Sequence, residues 1–93
     1  MPIVRVTNAA ITATVYCYAE DNYAGSAPMM IIRQPGQAAI TATGTPEITG
    51  WYAIATAFTP AALPPYVFVE FANNNTAAGG TAYATYFDSF SVT

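Results

Sequence analysis

The sequence has no histidine and no lysine, one cysteine, and only two arginines, Arg5 and Arg33, among its 93 residues. Each shortage removes a class of function. Without histidine or lysine there is no Ser–His or Cys–His nucleophile and no lysine to form a Schiff base. One cysteine and no histidine leave zinc unsupported. The lone Cys17 cannot form a disulfide within the chain. With Val15 and Ala19 at strand spacing it reads as a small buried hydrophobe, the alternative being a disulfide between chains. Charged residues make up 8% of the chain, against about 25% in a typical soluble domain. Two cations and a net charge of −3 provide no basic stripe to neutralise phosphates, which argues against nucleic acid and against an anionic membrane surface. Long apolar runs are missing too, because Pro60, Pro64, Pro65 and Glu70 interrupt the most hydrophobic part, so no membrane span is expected. The opening MPIVRVTN lacks the apolar core of a secretory signal, and the expectation is synthesis in the cytoplasm without one.

What is present is apolar and aromatic: 54% hydrophobic residues and 14% Phe, Trp and Tyr. A chain of this length buries roughly 60–70% of its unfolded surface, enough for one modest core. Thr, Val, Ile, Tyr and Phe dominate short runs punctuated by Pro, Gly and Asn, and helical periodicity is absent. The pattern predicts strands near Ile3–Thr7, Ala10–Ala19, Met29–Arg33, Ala38–Thr43, Trp51–Phe58, Tyr66–Ala72 and Thr81–Val92. Stretches such as QPG, GTPEITG and TPAALPP supply the turns. AAITAT occurs twice, at Ala9–Thr14 and Ala38–Thr43, but the flanks differ, so it reads as similar strand chemistry rather than a repeat. The expected fold is all-β: one antiparallel β-sandwich over residues 1–93, with about seven to eight strands.

Strict alternation assigns faces. In the second strand Ile11, Ala13, Val15 and Cys17 oppose Thr12, Thr14, Tyr16 and Tyr18. In the sixth, Val67, Val69 and Phe71 oppose Tyr66, Phe68 and Glu70. In the last, Tyr86, Asp88, Phe90 and Val92 would share the more apolar face, opposite Phe87, Ser89 and Ser91. An unpaired carboxylate there would cost several kcal/mol or titrate upward, which leaves Asp88 as a ligand, a buried hydrogen-bonding anchor or an ordinary exposed side chain.

The C-terminal half, GWYAIATAFTP, YVFVEFAN and AYATYFDSFSVT, resembles the closing strands of galactose-binding-like jelly rolls, a superfamily rich in carbohydrate-binding modules. The matching positions are Trp51, Phe58, Thr59, Tyr86, Phe87, Asp88, Phe90, Ser91 and Val92. The stretch from Thr14 to Gly36 is similar to small domains of the same kind in bacteriophage and virus structural proteins, so the resemblance covers about two-thirds of the chain. It implies a shortened jelly roll, inward packing for Trp51 and Phe58, and two roles for Asp88. One is a structural carboxylate accepting backbone N–H groups; the other is a ligand to a structural calcium ion. Calcium takes about 6–8 oxygens, usually with several carboxylates, and Ser89 stands where the superfamily frequently has a second acid.

Nothing selects a catalytic pair among Glu20, Asp21, Glu47, Glu70 and Asp88, so an enzyme is not expected. The aromatics are the binding candidates: Tyr16 and Tyr18 on one strand face, Tyr23 in the following loop, and Tyr52 beside Trp51. Aromatic patches stack on sugars and equally anchor protein interfaces. Three functions remain open on the sequence. The first is a non-enzymatic assembly protein, a small phage capsid-decoration or tail subunit at a virion surface whose partners are copies of itself or other structural proteins. The others are a carbohydrate-binding module with a glycan partner, and a self-assembling filament or crystal protein held partly through Cys17.

Overall fold

The computed structural model describes residues 3–19, 26–45, 50–74 and 85–93. They form seven strands: β1 (Ile3–Arg5), β2 (Ile11–Ala19), β3 (Ser26–Arg33), β4 (Ile40–Thr43), β5 (Gly50–Phe58), β6 (Tyr66–Asn74) and β7 (Thr85–Val92). Every pairing is antiparallel. One sheet has four strands in the order β1-β6-β3-β4; the other has three in the order β5-β2-β7. Deleting the first strand of an eight-stranded jelly roll and renumbering the rest gives this same order in both sheets. The sandwich expected from the sequence is the fold observed.

The core lies between the sheets and follows the alternation. Ala13, Val15 and Cys17 of β2, Met30 and Ile32 of β3, Ile54 of β5, and Val67 and Val69 of β6 are all buried there. Burying an aliphatic side chain of this size contributes roughly 1.5–3 kcal/mol, so these strands hold the layers together. Across β2 and β5, Cys17 faces Tyr52, whose half-buried ring points inward. Burial pushes the Cys17 thiol up from its ordinary range, and a hydrogen bond with the Tyr52 side chain opposes part of that shift. A thiol with no exposed surface cannot meet a thiol of another chain unless the sheet opens.

A second anchor ties residues 59–65 to the sandwich. The Gln34 side chain is buried, and its Nε2 donates to the carbonyls of Ala61 and Pro64 at 3.0 and 2.9 Å. Its Oε1 accepts the Ala61 N–H at 2.9 Å. Asn8 donates to the Pro60 carbonyl, and the Val6 N–H to that of Pro65.

β1, β2, β4, β5 and β6 match the sequence reading to within two residues at each end, and two strands depart further. β3 starts at Ser26 rather than Met29, with a register shift between these residues where Pro28, which has no N–H, enters the strand. β7 carries the larger departure. Its pairing with β2 runs Tyr86↔Tyr18, Phe87↔Cys17 and Asp88↔Tyr16, then shifts by one residue to Ser91↔Thr14 and Val92↔Ala13. Ser89 and Phe90 thus lie opposite the single Val15, a β-bulge, and Ser89 takes the left-handed φ of 56° that this insertion uses. The expected face of Asp88 is therefore corrected: it is exposed beside Tyr16, and Phe87 points inward.

The reason is aromatic burial. Phe87 and Phe90 are three residues apart and would take opposite faces of a regular strand. With one residue inserted both reach the same inner ring: Phe87 stacks on Phe71 of β6 at 5.3 Å, and Phe90 meets it edge-on at 5.7 Å.

Candidate functional site

The outer face of the three-stranded sheet is the strongest candidate. β2 contributes Thr12, Thr14, Tyr16 and Tyr18; β5 contributes Trp51, Ala53, Ala55 and Ala57. β7 adds Tyr86, Asp88 and Ser91. Because Trp51 and Tyr86 are both direct cross-strand partners of Tyr18, the three rings form a row across the sheet. The ring centroids lie 5.4 Å apart for Tyr18 and Trp51 and 6.2 Å apart for Tyr18 and Tyr86, within the range of favourable aromatic pairs. The outer rings stay accessible: Trp51 is 55% exposed, Tyr86 51%, and Tyr16, two residues along β2, 46%. The other end of the face is small and neutral, built of Ala and Thr. Among the described residues Asp88 is its single charge.

The sequence candidates distribute unevenly over this geometry. Tyr16 and Tyr18 are on the face. Tyr52 is not, since alternation along β5 turns it toward Cys17. Tyr23 lies outside the described residues. Two members of the row, Trp51 and Tyr86, were not expected there. Inward packing of Trp51, implied by the jelly-roll resemblance, is overturned by its 55% exposure, whereas Phe58 does pack against the core. The signal for Trp51 was in the chain: Ile54 is the most apolar residue of its strand, and Trp51, three positions away, must take the opposite face.

Asp88 is exposed at the bulge of β7, where its Oδ1 accepts the Ser89 N–H at 2.8 Å. Among the described residues no group of three or more acids, cysteines or histidines is gathered, at Asp88 or elsewhere.

A cleft of about 190 Å³ opens at one end of the sandwich, lined by Ile32, Ile40, Phe58, Thr59, Val67 and Gln34 among others. Gln34 is its buried polar group, yet both N–H donors and one acceptor position are already used on residues 61 and 64. The amide therefore has little left to offer a ligand, its hydrogen bonds holding residues 61 and 64 in place.

Comparison of the chain with protein-family models, with characterised proteins and with solved structures finds no match. Of the resemblance read from the sequence, the antiparallel sandwich is what the structure bears out.

Proposed function

We propose that this chain is a non-enzymatic assembly module that packs against neighbouring protein through the outer face of its three-stranded sheet. The observation that carries the reading is the row Trp51–Tyr18–Tyr86, its two outer rings exposed, on a face with one charge among the described residues. Accessible aromatic residues bordered by small neutral ones have the composition of an interface core, where Tyr and Trp are enriched and charge is depleted. The 8% charge content agrees, since free soluble domains carry far more. A virion surface, suggested only by the resemblance read from the sequence of Thr14–Gly36, is the first assembly to examine.

Carbohydrate binding is the second reading, supported by the stacking surface of Trp51. The ring planes disfavour it. Tyr18 is tilted 57° to Trp51 and 50° to Tyr86, so the row presents no common plane to successive sugar rings.

Light scattering over a concentration series separates the two. The wild-type chain is expected to associate, and the double variant Trp51→Ser with Tyr16→Ser to remain monomeric while still unfolding cooperatively, at a modestly lower melting temperature because the Trp51–Tyr18 pair is lost. Association that survives this double substitution overturns the proposal. Quenching of Trp51 fluorescence by an oligosaccharide, with the wild-type chain monomeric throughout, favours the glycan reading instead.

A further inference from the structure

We infer that the surface received by this aromatic face is the outer face of the four-stranded sheet of a second copy, so that copies stack head to tail in an open row. The inference rests on the assembly reading above and adds the partner and the polarity of the contact. Both arginines of the chain lie on that opposite face. Arg33 is already paired, its guanidinium 3.3 Å from Glu70 on the same surface. Arg5 is exposed on β1, directly across from Tyr66, and has no ion-pair partner among the described residues. It stands in an apolar setting: Ile3 is 66% exposed, Tyr66 37%, and Tyr66 packs edge-on to Phe68 at 5.4 Å. Among the described residues each outer face therefore presents aromatic and aliphatic surface with one charge left over, positive beside Tyr66 and negative at Asp88.

Those two charges decide the polarity. A symmetric contact between two aromatic faces would bring Asp88 toward its own copy, and one between two four-stranded faces would bring Arg5 toward Arg5. Like charges brought together oppose a closing interface, whereas a heterologous arrangement lets Arg5 of one copy meet Asp88 of the next. A heterologous contact does not close unless its rotation makes a ring; between opposite faces of a flat sandwich it extends into a row. The same surface supplies Glu70 with its own arginine, so Glu70 does not compete for Arg5.

Charge reversal gives a test with a specific signature. Arg5→Glu and Asp88→Arg both alter exposed side chains, and each variant alone is expected to associate at least tenfold more weakly than wild type. An equimolar mixture should regain association, because every contact in an alternating row again joins opposite charges. Undiminished association of Arg5→Glu, or a mixture no better than its components, overturns the inference. If Trp51→Ser still abolishes association in that case, the aromatic face remains the docking surface and only the partner surface is wrong. A wild-type chain that stays monomeric at every concentration removes both readings together.

Discussion

β6 and β7 face each other across the core, and each carries one acid near its middle, yet the two acids have different fates. Along β6 alternation is unbroken from Tyr66 to Phe71: Val67 and Val69 are buried, and Glu70 emerges on the outer face, where Arg33 meets it. Along β7 alternation fails at Ser89, and Asp88 emerges on the other outer face with its own backbone as partner. The difference teaches that a strand's acid is placed by what its aromatics need. β6 buries Val67 and Val69 and turns Phe71 inward in regular order, leaving Phe68 on the outer face beside Tyr66. β7 cannot bury both Phe87 and Phe90 without an inserted residue, and that insertion puts the carboxylate in water, where it no longer bears the cost of burial.

The comparison breaks first at the ring the two strands share. Phe71 contacts both Phe87 and Phe90, so Phe71→Ala is expected to lower unfolding free energy by about 2–4 kcal/mol, read by urea denaturation. A loss below about 1 kcal/mol would mean that the rings do not join the sheets. A smaller effect tests the bulge itself. Ser89→Val forces a β-branched residue into a left-handed conformation and should cost about 1–2 kcal/mol, whereas Ser89→Gly should leave stability unchanged or raise it. In a regular strand the order would invert, with Val favoured and Gly costing about 0.5–1 kcal/mol. The smallest effect separates the acids: Asp88→Ala and Glu70→Ala should each shift stability by no more than about 1 kcal/mol. A collapse in melting temperature for Asp88→Ala alone would restore it as a buried anchor.

The sequence by itself determined a great deal: seven short strands, the antiparallel sandwich, the inward set Ala13, Val15, Cys17, Val67 and Val69, and the outward Tyr16 and Tyr18. These follow from period-two alternation and turn chemistry, which are local and survive whatever the rest of the chain does. Only the tertiary structure decided which aromatics meet across strands and how those of β7 are shared between core and surface. Alternation from Ile54 turns Tyr52 inward and Trp51 outward, and the pairing register of β5 with β2 then decides that Tyr52 lies opposite Cys17 and Trp51 opposite Tyr18. The exposed row exists because that register aligns Trp51, Tyr18 and Tyr86 across three strands drawn from distant parts of the chain. Likewise the place of Asp88 was settled by Phe71, a residue of the opposite sheet, through the bulge that lets Phe87 and Phe90 both reach it. Alternation can be read from one strand; register and bulges answer to the strands across the core.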